Sequence, residues 1–325
     1  MPELTVADRV EVLVLVDNST DNLSSVPGYV ETEFPSFWRR GARLLAGDSL
    51  CCAAHGFSCA ITVWRDGVSK TLLFDSGPDS AVFERNVDRL GFKIGTVDGM
   101  VLSHGHWDHS GAMLKALDMI QIRNGGEAVP TYMHPGMYAP RAMRGPDGAI
   151  RRFDDVPTQD ELERHGATVI HSKKSQVVLD NLFFISGEIP RVTSFEKGLP
   201  GQVRRSKDGT NWEPDPLLLD ERFIAVNIKN KGLLVFTACS HAGVVNVLKH
   251  AHHSFSAHPI HGVVGGFHLA GPTEANIPDT VRELGKFNLT TIAAGHCTGW
   301  RAIGALATAF GDAVVPSSVG KIYKF

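Results

Sequence analysis

A layered α/β fold is what this sequence predicts, and three observations carry the prediction. Four apolar runs of strand length each end in a histidine with glycine close by. Each is followed by a segment whose apolar residues recur at helical spacing, so strands alternate with helices along the chain. A content of 43% hydrophobic and 21% charged residues over 325 positions is enough for a large core and argues against disorder.

The elements follow in order. "VEVLVLVDN", "SCAITVWRDG" and "KTLLFDSG" read as strands that close on Asp-Gly or Asp-Ser-Gly turns. Then "DGMVLSHGH" leads to "SGAMLKALDMI", "KGLLVFTACSH" to "AGVVNVLKHA", "IHGVVGGFH" to "IPDTVRELGKF", and "TTIAAGH" to "CTGWRAIGALATAF". Histidines at the carboxyl ends of successive strands converge on one rim of the sheet, where α/β proteins bind their ligands. Two stretches, about 28–56 and 195–222, read as loop insertions, the second rich in Gly, Pro and charge; such connections are lids, binding loops or mobile segments. Length does not settle the domain count, and a single domain over 1–325 is the expectation.

Charge excludes some function classes. The formal net charge is −3, and basic residues cluster only briefly, as at Arg39-Arg40, Arg151-Arg152 and Lys173-Lys174. No basic stripe is present for nucleic-acid binding. The amino-terminal stretch carries Glu3, Asp8 and Glu11 around its apolar residues and reads as a strand, not a signal peptide. No apolar run reaches the roughly 18 residues of a membrane helix, so a cytoplasmic protein without a membrane partner is expected. Five cysteines, an odd number, are expected to be free thiols, and the lack of a CxxC pair argues against a structural zinc. Assembly of identical chains is compatible with the sequence.

The chemistry concentrates in "HGHWDH", which supplies His104, His106, Asp108 and His109. Imidazole and carboxylate suit zinc, and also iron or manganese. Four donors in six residues exceed what one small ion accepts from so short a loop, which implies two adjacent sites. His104 and His106, alternate residues of an extended segment, point the same way and grip one ion. Asp108 and His109 face a second as the chain turns into a helix. Asp108 or Ser110 would also serve as the helix N-cap.

This motif, placed after a strand and before a helix, resembles the defining metal motif of the metallo-β-lactamase-fold superfamily. "LLFDSG", "GEIPR", "TACSHAGVVN", "GGFHL" and "GHCTG" are similar to its dihydropterin-ribofuranosyl-aminobenzene-phosphate synthase-like subgroup. The resemblance implies an αββα sandwich with the metals in the cleft between its two β-layers. It implies that Asp75 supports the ligands from behind and that His296 completes the site of Asp108 and His109. The third ligand beside His104 and His106 has no counterpart of the usual motif; His241 is the choice. Cys239 stands nearest the superfamily's bridging acid, either as a ligand or as a small buried residue behind the site. His268 is either a ligand or the group that protonates the leaving atom. Trp107, Glu188, Arg191 and Trp300 are candidate substrate contacts, and His55, preceded by Ala54 where the subgroup has glutamate, is a weaker one.

A metal with an open position lowers the pKa of bound water from 15.7 to about 7, so hydroxide is available at neutral pH. Asp108 orients or deprotonates that water. The expected function is a metal-dependent hydrolase, with one or two zinc ions, of a small molecule: a phosphate ester, a lactone, or an activated aromatic carbon bearing a leaving group such as halide. The alternatives are a pterin- or aminobenzoate-type synthase, a di-iron redox protein, and a non-catalytic metal-binding protein.

Overall fold

The computed structural model describes residues 3–325. Two mixed β-sheets lie face to face with helices on both outer surfaces. The first sheet has eight strands in the order Ala167–His171, Val129–Met133, Gly99–Val101, Val68–Phe74, Ser58–Arg65, Arg9–Val16, Ile322–Lys324, Val30–Glu31. The second runs Gln176–Val178, Phe183–Ile185, Phe223–Ile228, Gly232–Thr237, Ile260–Gly266, Thr291–Gly295, with Val6–Ala7 paired to Phe223–Ile228.

Side-chain alternation explains the layering. Along Val68–Phe74, Leu72 and Phe74 enter the core between the sheets, while Leu73 turns outward onto helix residues Phe83, Val87, Met113 and Leu117. Along Gly232–Thr237, Leu234 and Phe236 face the same central core, while Leu233 and Val235 pack on Val245, Leu248 and Ala251 of the helix Val244–Ser254. A strand buried on both faces reads as a continuous apolar run, and its period of two divides the run between two cores. This is the αββα sandwich that the resemblance implied.

Capping holds the outer layers in place. The Asp79 side chain accepts from the N–H groups of Ala81 and Val82 at the start of the helix Ser80–Leu90, which Gly91 ends in the left-handed conformation at φ 61°. Glu196, distant in sequence, accepts from the N–H groups of Val245 and Asn246 at 2.9 Å each and so caps the helix Val244–Ser254.

The two expected insertions contain regular structure. The first holds the strand Val30–Glu31, the helix Glu33–Arg39 and the turn Gly47–Ser49. The second holds a hairpin, Gln202–Arg205 with Trp212–Pro214, that pairs with Arg141–Arg144 and Ile150–Arg152 to make a third, four-stranded sheet. Its pairing partners lie some way back along the chain, so local composition alone reads as loop. Among the described residues no helix is long and apolar enough to cross a membrane.

Candidate metal centre

The first ligand loop is clamped from two sides. Asp75, fully buried with φ 59°, accepts from the Ser103 N–H and Ser103 hydroxyl, each at 2.7 Å. On the other side the Gly105 N–H donates to Asp220 at 2.9 Å, and Asp220 accepts from Arg141 at 2.6 Å. A Cβ at Gly105 would stand 2.1 Å from the Arg141 guanidinium and 2.5 Å from the Met137 carbonyl oxygen, so only glycine fits between these clamps.

Within this frame four imidazoles are each anchored by one nitrogen to an oxygen. His104 Nδ1 donates to the Ser103 hydroxyl at 2.8 Å, and His106 Nε2 to the Gln202 side-chain oxygen at 2.6 Å. His109 Nδ1 donates to Asp75 at 2.7 Å, and His296 Nδ1 to the Asn18 side-chain oxygen at 2.9 Å. Such partners fix the tautomer and, in a neutral ring, leave the second nitrogen with a lone pair turned inward. His104 Nε2 and His106 Nδ1 then face each other at 3.0 Å. His109 Nε2 and both ring nitrogens of His241 are buried with no hydrogen-bond partner. Buried polar atoms without partners are costly, and lone pairs converging on one point repel unless a cation lies between them.

The donors fall into overlapping groups whose ligand atoms lie within 4.8 Å of one another: His104, His106 and His241; Asp108, His109 and His296; and His104, His109 and Cys239. Asp108 Oδ2 stands 3.6 Å from His109 Nε2, 3.4 Å from His296 Nε2 and 3.6 Å from His55 Nε2. This set could hold one or two divalent cations. Burial and the neighbouring rings push His104 and His241 well below the ordinary histidine range, and burial with the Arg141 charge brings His106 to about 4. All three are neutral at pH 7, as ligands must be. Burial works the same way on His109, but the Asp108 and Asp75 carboxylates outweigh it and hold that ring up to about 9. A cation held by His109 at neutral pH would have to displace that proton.

Backbone strain marks the same rim. Asp75, Ser240, His268 and His296 all have φ between 44° and 59°, a region that non-glycine residues rarely adopt and that clusters at functional sites. A cavity of about 490 Å³ opens above the donors. Its walls include Trp107, Met143, Phe153 and Leu199, and its floor His106, Asp108, His241, His268 and His296.

The fold places several of the expected residues differently from their reading in the sequence. The Cys239 sulfur, expected either as a ligand or as a small buried residue behind the site, is buried and stands beside the donors, 3.4 Å from His296 Nε2. Neither Asp108 nor Ser110 caps the helix Trp107–Ser110; His106 occupies the cap position, and the Ser110 hydroxyl bonds back to its carbonyl at 3.1 Å. Glu188 and Arg191 do not pair with each other. Glu188 accepts from His134 at 3.2 Å, the Arg191 guanidinium is spent on the Ile189 and Leu217 carbonyls, and both residues stand outside the cavity lining. Trp107 lines the cavity, whereas Trp300, 74% exposed, does not.

Sequence reasoning missed Asp17, Asn18, Ser103, Gln202, Asp220 and Glu221. Asp17 accepts from the His296 N–H at 2.9 Å, and Glu221 from the N–H groups of His241 and Ala242 at 2.7 and 2.5 Å. "DN" directly after a buried strand was a usable signal for Asp17 and Asn18, parallel to "DS" after Phe74. Gln202, on the hairpin of the third sheet, gave none.

A family model described as the Metallo-beta-lactamase superfamily matches residues 56–266. The chain is 26% identical over 277 residues to the 7,8-dihydropterin-6-methyl-4-(beta-D-ribofuranosyl)-aminobenzene-5'-phosphate synthase of Methanocaldococcus jannaschii, covering 83% of this chain and 90% of that one. It is 29% identical over 270 residues to an uncharacterized protein of the same organism, covering 83% and 93%. Among solved structures, Tm1679, described as a metal-dependent hydrolase of the beta-lactamase superfamily, superposes with a TM-score of 0.70 at 21% identity, over 97% of this chain and 98% of that one, a likeness of fold. The matched span begins just before the strand Ser58–Arg65 and ends with the strand Ile260–Gly266, enclosing Asp75, the HxHxDH loop and His241; by that extent of match and by its two-sheet architecture, the chain belongs to the metallo-beta-lactamase superfamily.

Proposed function

We propose that this chain is a zinc-dependent hydrolase of a small, largely uncharged organic molecule. The observation that carries the reading is the inward lone-pair set: four anchored imidazoles and an unpartnered His241 around Asp108, at the floor of an open cavity. His104, His106 and His241 would hold one ion, and Asp108, His109 and His296 a second. A divalent cation there supplies Lewis acidity, lowering the pKa of water and polarising the electrophile.

The chain's own residues do the rest. Asp108, whose carboxyl stays below its usual range because its histidine neighbours outweigh burial, is ionised and accepts the proton of the attacking water. His268 lines the same cavity and donates a proton to the leaving atom. Trp107, Met143, Phe153 and Leu199 give the substrate an apolar berth suited to an aryl or acyl group. Among the described residues no lysine or arginine lines the cavity, which favours a lactone or an activated aromatic carbon over a phosphate ester.

The synthase reading draws on the Methanocaldococcus jannaschii relative, whose name specifies a 5'-phosphate; the lack of lysine and arginine in the cavity lining weighs against transferring that substrate. The test is a panel of ester, lactone, phosphodiester and aryl-halide substrates, run with elemental analysis and a chelator control. Lactone or aryl-halide hydrolysis that disappears with the metal and returns with Zn2+ is expected. Metal-replete protein inert across the panel overturns the hydrolase reading, and bound iron with a visible absorption band shifts it to redox chemistry.

A further inference from the structure

Beside the imidazole and carboxylate donors lies a thiol pair that the proposed hydrolysis does not use. The sulfurs of Cys239 and Cys297 are 3.2 Å apart, and His268 Nδ1 is 4.0 Å from Cys239 Sγ. Their ligand atoms all lie within 4.8 Å of one another. We propose that Cys239, Cys297 and His268 form a separate site for a thiophilic cation such as Zn2+ or Cd2+, sharing the Cys239 sulfur with the neighbouring centre.

Four features of the fold support this. The three residues follow three adjacent parallel strands, Gly232–Thr237, Ile260–Gly266 and Thr291–Gly295, whose register carries their side chains to one point. Two sulfurs on one tetrahedral zinc, each at about 2.3 Å, stand about 3.8 Å apart, so the pair needs to part by only about 0.6 Å. A Cβ at Gly266 would come within 2.7 Å of Cys297 Sγ, so the glycine leaves the space that this sulfur occupies. His268 keeps φ at 44°, a strained conformation, while its ring sits beside the thiols.

All three residues also line the cavity, so a coordination position is left facing it. Two thiolates, one imidazole and an open position form the ligand pattern of a catalytic zinc site, and thiolates select zinc or copper(I) over magnesium and calcium. On binding, each thiol releases its proton to solvent. The Cys239 sulfur, 3.4 Å from His296 Nε2, also reaches the donors of the first centre and couples the two sites.

The test needs no activity. Metal-free protein in a Cys52→Ser background, which removes the other partly exposed thiol, is kept reduced with a phosphine and titrated with Cd2+ while thiolate-to-cadmium charge-transfer absorption is followed. The band at saturation is expected to fall by about a third to a half in Cys297→Ser, as one of the two or three sulfur–cadmium bonds is lost, and His268→Gln is expected to weaken Cd2+ binding at an unchanged amplitude. In the parent chain, Cd2+ should protect both Cys239 and Cys297 from alkylation, read by peptide mapping, a measurement that does not depend on the variant folding. Alkylation of Cys297 at the same rate with and without Cd2+, or a full-amplitude band in folded Cys297→Ser, overturns the proposal. Failure here leaves the hydrolase reading intact, since its two metal sites rest on the other donors; success makes His268 a ligand and takes from it the role of proton donor to the leaving atom.

Discussion

Replacing Asp75 with asparagine probes the centre without touching a ligand. Asparagine tolerates the left-handed backbone at φ 59° and keeps the side-chain shape, so the turn survives. One oxygen can still accept from the Ser103 N–H. The new amide group then faces His109 Nδ1 and the Ser103 hydroxyl, both of which now donate to Asp75 at 2.7 Å. Two donors cannot share a hydrogen bond, so the His109 ring must change tautomer and point its protonated nitrogen at the metal position. Loss of such a partner costs 10- to 100-fold in metal affinity, or about 1.4–2.7 kcal/mol.

A second signature separates this from general damage. Only the neutral His109 ring can ligate, and its pKa of about 9 makes affinity rise tenfold per pH unit up to that value. Between pH 7 and 9 the gain is about 50-fold, or about 2.3 kcal/mol, because at pH 9 half of the rings are neutral. With the Asp75 charge gone, the break in this profile moves to lower pH. Competition titration of Zn2+ against a chromophoric chelator at pH 7, 8 and 9, with circular dichroism as a control for folding, measures both effects. A folded variant with unchanged affinity and an unchanged break refutes the role assigned to Asp75.

Other outcomes follow from the same geometry. Asp108→Ala should lower kcat by about 10²- to 10⁴-fold while the melting temperature changes little, because the carboxylate serves as the proton acceptor; normal turnover would remove it from that role. Gln202→Ala frees His106 Nε2 from its 2.6 Å anchor and should weaken Zn2+ binding by about tenfold in the same titration. Burial pushes Glu221 up to about 7 from 4.5, against its backbone donors and Arg191. At Glu221 the native state therefore holds a proton that the unfolded chain has released between those values, and this group's contribution to stability falls as pH rises through that window, by up to about 3 kcal/mol, then levels off. The buried histidines His104, His106 and His241 titrate with the opposite sign, so the Glu221 contribution is read as a difference. Between pH 5 and 8 the urea-derived stability of metal-free parent protein should drop relative to that of Glu221→Gln by that amount, and an unchanged difference refutes it.

Much of this molecule is legible in its sequence. The strand–helix alternation emerges because apolar periodicity is local, and each strand-end histidine falls where its run stops. The HxHxDH loop and the supporting Asp75 are equally local: short spacings after buried strands leave little freedom in where the side chains go. Glu188 and Arg191 show the limit of such reasoning. They are close in sequence and opposite in charge, yet the fold gives Glu188 to His134 and Arg191 to two carbonyls.

Only the tertiary structure decided which distant residues meet. Sheet register sets Thr237 beside Gly265 and Gly265 beside Ala294, and so brings Cys239, His268, His296 and Cys297 to one wall. Pairing of Gln202–Arg205 with Arg141–Arg144 delivers Gln202 to His106 and closes the cavity with Phe153 and Leu199. Protonation follows the same logic, for His106 at about 4 and His109 at about 9 are three residues apart in one loop. Spacing along the chain fixes which groups are available, whereas burial and the charges folded around them fix which carry a proton and which present a lone pair.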